Sequence, residues 1–278
     1  MLEIPESCVI SGQIDKALKG RTITGAVANQ SPHGFAWYHG SPDDYPALLT
    51  GRTITGARPI AGLITVQTDG AKMLFNDGVN LRLLAHGKKR PAKHQLLLEM
   101  DDGAALVGSV QMYGGLIAYP DSYVDDNPYH VGAEQKPSPL TGAFDEAYFD
   151  NLFAQAKRSL SVKAFLATEQ RIPGLGNGVL QDILFLTGLH PARPISTLDD
   201  SLARALYRNV KDVLRRMTDE GGRNTEKDLY GNPGGYRTLL SRLTLPFPCP
   251  QCGGPIERKA YLGGNVYFCA KCQPLVKG

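Results

Sequence analysis

Four cysteines near the C-terminus carry the clearest chemical pattern in the chain. Cys249-Pro250-Gln251-Cys252 is followed, after sixteen intervening residues, by Cys269-Ala270-Lys271-Cys272. Each Cys-x2-Cys knuckle brings two sulfurs to one point. Two knuckles at this separation match a closed four-thiolate zinc site. Cys249, Cys252, Cys269 and Cys272 are therefore expected to hold one structural Zn2+. Between the pairs, Ile256 to Leu262 reads as a strand, Gly263-Gly264-Asn265 as a tight turn and Val266 to Phe268 as a second strand. The metal would clamp the open end of this β-hairpin.

A second pattern is Gln170-Arg171-Ile172-Pro173-Gly174-Leu175-Gly176-Asn177, set between two helical stretches. Gly174 and Gly176 at a helix N-terminus let the backbone approach an anion closely and aim N–H groups at it, with Asn177 adding a side-chain amide. The same spacing also suits a tight turn that needs glycine for packing. The fifth cysteine, Cys8, stands alone and reads as a buried small hydrophobe rather than a nucleophile. His33, His39, His86, His94, His130 and His190 are scattered and form no metal constellation.

The elements that must position these residues follow from the chain as a whole. Its 278 residues allow one large domain or two ordinary ones, and the ordinary apolar content is that of a globular protein. There is no run of eighteen apolar residues and no basic, then apolar, leader, so neither a membrane span nor a secretory signal is expected. Paired Cys-x2-Cys units without an export signal read as metal ligands rather than disulfides, in the cytoplasm. The net charge of +3 conceals an asymmetry. Residues 1–150 carry 12 Lys and Arg against 17 Asp and Glu, whereas residues 151–278 carry 18 against 10. A basic half that contains a zinc hairpin suggests a nucleic-acid surface.

In chain order, Val9, Ile10, Ile14 and Leu18 recur at helical spacing after Pro5. Gly20-Arg21-Thr22-Ile23-Thr24-Gly25-Ala26 then recurs as Gly51-Arg52-Thr53-Ile54-Thr55-Gly56-Ala57. Each copy reads as a helix end, a glycine stop and the start of a strand, which fits two similarly built β-layers. Strands are expected at 35–38, 63–67, 72–75, 81–84, 95–100, 104–110 and 115–119. The turn pairs between them, such as Asp69-Gly70 and Asp102-Gly103, argue for a β-sandwich. Pro120, Pro128, Pro137 and Pro139 mark a linker. Helical faces follow: Tyr148, Phe149, Leu152, Phe153 and Ala156, then Val179, Leu180, Ile183, Leu184 and Leu186. A third face runs from Leu202 to Met217 behind a capping box at Thr197 to Asp200. The expected class is α+β with two domains. An N-terminal β-sandwich (1–120) and a linker (121–142) precede a helical domain (143–243) and a zinc-ribbon hairpin (244–278).

Taken together, these pieces resemble the formamidopyrimidine-DNA glycosylase and endonuclease VIII family from end to end. Glu3, Pro5 and Glu6 resemble its N-terminal signature. Lys163-Ala164-Phe165-Leu166, Gln170 and Gly174 to Asn177 resemble its helix–two-turn–helix element. Gly221-Gly222 and Gly234-Gly235-Tyr236 resemble the stretch leading to its hairpin, and Tyr267-Phe268-Cys269 with Cys272-Gln273 resemble the hairpin's close. The resemblance implies a monomeric DNA repair glycosylase, associated with the nucleoid, acting on double-stranded DNA that contains damaged bases or abasic sites. A flipped-out base would lie between the domains. The N-terminal amine would attack the sugar carbon, the base would leave, and a Schiff base would lead to strand scission while the neighbouring glutamate handles protons.

The chain departs from the family pattern at three places. Leu2 stands where the family has its nucleophilic proline, so the expected catalytic groups are Glu3, Glu6 and the amine of Met1, with Glu3 alternatively activating water. Ala61, with Arg58 nearby, stands where the family has a DNA-contacting lysine. Gly264 stands where the family's hairpin has a phosphate-gripping arginine, and Arg258 and Lys259 on the first hairpin strand are expected to replace it in part. DNA contacts are otherwise expected from Lys163, Gly174, Gly176 and Asn177, with Met112 or Tyr113 as the apolar plug that fills the gap left by a flipped base. The competing reading is a catalytically impaired protein that binds damaged DNA on the same scaffold.

Overall fold

The computed structural model describes residues 2–76 and 78–276, and the chain forms two compact units. The first comprises Met1–Val131 together with Glu226–Gly234. The second comprises Gly132–Thr225 and Gly235–Gly278. The boundary falls within the stretch read as a linker, which contains a helix, α3 (Pro128–Gln135). Residues 226–234, expected in the helical domain, group with the first unit: Leu229 joins its core, and its carbonyl accepts from the amide of Leu83.

The first unit begins with α1 (Ile4–Leu18), which has Pro5 in its first turn, where a missing N–H costs nothing. The strands are β1 (Ile23–Ala28), β2 (Ala36–Trp37), β3 (Ile54–Ile60), β4 (Leu63–Thr68), β5 (Ala71–Phe75), β6 (Val79–Leu84), β7 (Leu96–Met100), β8 (Ala105–Val110) and β9 (Gly114–Pro120). A short helix, α2 (Tyr45–Leu49), precedes β3. The strands form a four-stranded sheet, β1-β7-β8-β6, and a five-stranded sheet, β2-β9-β5-β4-β3, as a β-sandwich requires. The expected strand at 35–38 shrinks to the two residues of β2, paired in parallel at the sheet edge, with Phe35 and Trp37 exposed.

The heptapeptide repeat is where the two sheets meet. Gly20 donates its amide to Ile54 and Gly51 donates its amide to Ile23, both at 2.8 Å. Ile23 in turn donates to Arg52 and Ile54 to Arg21, so the two copies bond each other reciprocally. Gly20 and Gly51 share a φ of +84°, a left-handed conformation that a side chain would strain. β1 and β3 each carry a register shift at the same place in the repeat, between Ile23 and Gly25 and between Ile54 and Gly56. Leu18, Ile23, Leu49 and Ile54 are all buried in the core between the layers.

In the second unit, α4 (Glu146–Gln155) is capped by Asp145, α5 (Val162–Ala167) by Ser161, and α6 (Leu180–Thr187) ends on left-handed Gly188. Helix α7 (Asp200–Asp219) buries Leu206, Val210, Val213, Leu214 and Met217. Its cap is Asp199, which accepts from the amide of Leu202; the expected capping Thr197 instead lies in a preceding 3-10 turn. Leu186, expected on the buried face of α6, is exposed, and Phe185 is buried in its place. The hairpin strands are β10 (Glu257–Tyr261) and β11 (Gly264–Phe268). Tyr261 pairs with Gly264, so the turn is Leu262-Gly263 rather than 263–265. Both turn residues have positive φ, as the primed two-residue turns that match strand twist demand. Among the described residues, no helix is long and apolar enough to cross a membrane.

Candidate functional site

In the first unit the candidate catalytic groups lie at the head of α1. Glu3 is the N-cap residue, with extended backbone, and its carbonyl accepts from the amide of Ser7 at 2.9 Å. Its side chain makes no capping bond to the helix. Glu3 and Glu6 are 3% and 4% exposed, and both stand in the positive field of the helix N-terminus. Leu2 is buried in the core of the unit, which anchors the main chain directly before Glu3. Met1 lies outside the described residues. Ala61 occupies the β3–β4 turn with a φ of +53°, and its carbonyl accepts from the Ser7 hydroxyl at 2.5 Å. The turn that carries a lysine in the family pattern is thus bonded to the first turn of α1, while Arg58 is exposed on β3.

The loop between β8 and β9 presents Met112, 66% exposed, and Tyr113, 36% exposed. The Tyr113 ring lies 5.9 Å from the ring of Trp37 on β2.

In the second unit, α5, two turns and α6 form the helix–two-turn–helix element. The connection reverses direction through left-handed Glu169, Gln170 and Gly174. Arg171 closes α5 by donating to the carbonyls of Ala164 and Thr168 at 3.1 and 3.2 Å, satisfying groups left open at a helix C-terminus. Gly176 leads into α6, its carbonyl accepting from Leu180.

The residues expected to face DNA are instead tied largely to the hairpin. Lys163 is buried, and its ammonium donates to the Tyr261 carbonyl at 2.5 Å. Burial pushes its pKa down. The Lys163 ammonium is thus bonded within the unit, to the hairpin. The Asn177 amide donates to the Asn265 carbonyl at 2.7 Å. The Gln181 amide donates to the same carbonyl at 3.1 Å, and the Gln181 side-chain oxygen accepts from the Tyr267 amide at 3.0 Å. A Cβ on Gly264 would meet the Asn177 amide nitrogen at 3.0 Å. The hairpin tip is therefore packed and hydrogen-bonded onto the helix–two-turn–helix element. Arg258 and Lys259 are both exposed but pair with Tyr267 and Val266, on opposite faces of the hairpin. They cannot jointly take over a contact made from one face.

The four sulfurs of Cys249, Cys252, Cys269 and Cys272 all lie within 4.8 Å of one another. Cys249 and Cys272 are 3.8 Å apart and Cys252 and Cys269 3.5 Å apart. A tetrahedron of sulfurs about 2.3 Å from a zinc ion has edges of roughly 3.8 Å, so the donor set fits that metal. The Gly254 backbone bond lowers the Cys252 thiol, whereas burial raises those of Cys269 and Cys272. Phe185, Leu240 and Ile256 pack around Cys249 and Cys269. Cys8 is half-buried and its thiol is pushed up to about 11, chiefly by burial, which leaves it unreactive.

Sequence reasoning missed Gln181, Asn265 and Asp182. Fully buried Asp182 accepts from Tyr236 and from the amides of Leu239 and Leu240, holding the stretch that leads into the hairpin. Burial raises its pKa, against the pull of those bonds. A polar residue inside the apolar run of α6 was the available signal.

Residues 136–228 match the family described as "Formamidopyrimidine-DNA glycosylase H2TH domain". Formamidopyrimidine-DNA glycosylase of Legionella pneumophila (strain Paris) is 29% identical over 287 residues, covering 99% of this chain and 100% of the relative. That of Chloroflexus aggregans is 28% identical, covering 100% of both. The MutM (Fpg) protein of Thermus thermophilus superposes with a TM-score of 0.81 at 24% identity, over 99% of this chain and 100% of that one. Lactococcus lactis Fpg, solved in complex with abasic-site DNA, gives 0.82 at 21% identity, over 98% and 99%. Two layered sheets behind an N-terminal helix, a helix–two-turn–helix element and a four-thiol hairpin define the H2TH class of protein. Within that class, the chain is similar over its whole length to formamidopyrimidine-DNA glycosylases.

Proposed function

We propose that this protein is a DNA repair glycosylase that removes oxidised or otherwise damaged bases from double-stranded DNA, with abasic-site lyase chemistry set by its N-terminal residue. The observation that carries the reading is Glu3: a buried carboxylate at the N-terminus of α1. In the amine route, the Met1 nitrogen bonds to the sugar carbon as the bond to the base breaks. The base leaves with a proton, and Glu3 serves the proton transfers. In the water route, Glu3 takes a proton from water, which attacks the same carbon, and no covalent adduct forms. Buried Leu2 anchors the main chain directly before Glu3. Glu6, one turn further on, supports that carboxylate environment.

The full-length match to relatives named as glycosylases favours this reading over a catalytically impaired binder. Met112 or Tyr113 serves as the plug, while Gly174 and Gly176, with either Arg258 or Lys259 from one face of the hairpin, line the DNA-facing side of the second unit. Lys163 and Asn177 act by positioning the hairpin. The four cysteines hold one structural zinc ion, which fixes the hairpin and takes no part in the reaction. The protein works as a monomer in the cytoplasm, on nucleoid DNA.

The test uses duplex DNA with one oxidised base, followed with and without borohydride. Base release that falls at least about a hundredfold in Glu3→Gln is expected. A trapped adduct mapping to the Met1 amine identifies the amine route, and release without an adduct identifies the water route. Tight binding to damaged DNA with neither release nor adduct would sink the enzymatic reading.

A further inference from the structure

The first unit carries a group of exposed aromatic and apolar side chains that the reading above uses only in part. Trp37 is 48% exposed, Tyr113 36%, Phe35 63% and Met112 66%. They come from two separate segments brought together by the parallel pairing of β2 with β9, Ala36 opposite Gly114 and Trp37 opposite Gly115. The Trp37 and Tyr113 rings are tilted by 37°, so neither covers the other as a stack would.

The backbone beneath this pair is closely built. The Gly114 amide donates to the Phe35 carbonyl, and the Gly115 amide donates to the Asn76 side chain at 2.6 Å. The Gly78 amide donates to the Tyr113 carbonyl at 3.0 Å, and a Cβ on Gly78 would lie 2.3 Å from that oxygen. Glycine at 78 thus permits a backbone approach that holds the Tyr113 segment in place. A large exposed indole and phenol on a braced backbone match what an unstacked nucleobase needs. Flat apolar faces suit every base, and stacking requires no hydrogen-bond match.

We infer that Trp37 and Tyr113 form a two-ring platform on which a nucleobase beside the extruded nucleotide stacks. Trp37 is then a positioning residue for base removal, supplied from β2 rather than from the plug loop. The inference rests on the proposed glycosylase reading, because it needs damaged DNA as the occupant. The platform favours DNA in which a base has lost its stacking neighbour over intact duplex, since only such a base offers a bare face.

Trp37 is the single tryptophan of the chain, so its emission reports on the platform alone. The experiment titrates the full-length protein with labelled duplex carrying a tetrahydrofuran abasic analogue, and with intact duplex of the same sequence. Label anisotropy is read beside tryptophan emission. The expected result is quenching by the abasic duplex and little by the intact one. Trp37→Leu should weaken binding of the abasic duplex by about tenfold, leave intact-duplex binding unchanged, and be largely rescued in Trp37→Phe. Binding of the abasic duplex without a change in emission, or equal quenching by both duplexes, overturns the platform and leaves the glycosylase reading standing. No preference for the abasic duplex by anisotropy, together with no base release, overturns both.

Discussion

The ammonium of Lys163 on α5 lies 2.5 Å from the Tyr261 carbonyl at the end of the first hairpin strand. One buried charge thereby links the helix–two-turn–helix element to the hairpin, and the same ammonium sits 5.9 Å from the centre of the Tyr261 ring. Lys163→Met should cost about 2 kcal/mol, the range for a hydrogen bond to a charged group, read by urea unfolding. Burial holds the folded-state pKa of Lys163 below the ordinary 10.5. Between those values the unfolded chain binds the extra proton, so this group's contribution to stability rises with pH. That alkaline rise should be absent in Lys163→Met.

Restoring the family's arginine at position 264 should not restore a grip. A side chain there meets Asn177, which is itself held by Asn265. Gly264→Arg is expected to destabilise by about 1–3 kcal/mol, as overpacking does, and to give no tighter DNA binding. Removing the obstacle in Gly264→Arg with Asn177→Ala should recover part of the loss. A double-mutant cycle on thermal unfolding would show that coupling as a non-additive term.

The sulfur tetrahedron predicts one zinc per chain by elemental analysis of the purified protein. Chelation, or Cys249→Ser, should release the metal and lower the melting temperature of the second unit. Base release on damaged DNA should fall with it, because the hairpin loses its clamp. A protein that keeps its melting temperature and activity after the zinc is gone would contradict the structural role.

The reciprocal bonds between the repeats predict matched effects. Gly20 and Gly51 share a φ of +84° with open space where a Cβ would go, so backbone strain is the only penalty at either site. Gly20→Ala and Gly51→Ala should each cost about 1–2 kcal/mol. Chemical denaturation of the two variants should give values within a few tenths of each other.

Local patterns were legible where local physics decides them. The knuckle spacing of Cys249 to Cys272 identified the thiol cluster, because two short loops and a hairpin leave few other arrangements. The duplicated heptapeptide indicated two similar β-layers, and the turn pairs marked most strands, because glycine and aspartate act on their own neighbours. Side-chain direction was the weaker inference. Leu186 fits the helical period of α6 yet faces solvent, and the cap of α7 moved from Thr197 to Asp199, since neighbouring segments rather than spacing choose between adjacent candidates.

By itself, the sequence determined the family resemblance, the two kinds of layer, the hairpin and its cluster of four thiols, all of which depend on residue type and separation along the chain. Only the tertiary structure decided which polar groups bond within the chain. Lys163 and Asn177 have the right chemistry for a phosphate, but their donors meet the carbonyls of Tyr261 and Asn265, 98 and 88 residues away. Trp37 and Tyr113, 76 positions apart in the numbering, meet only because β2 pairs with β9. A donor bonds to whatever acceptor folding brings within about 3 Å, and that partner is set by packing between distant segments rather than by spacing along the chain.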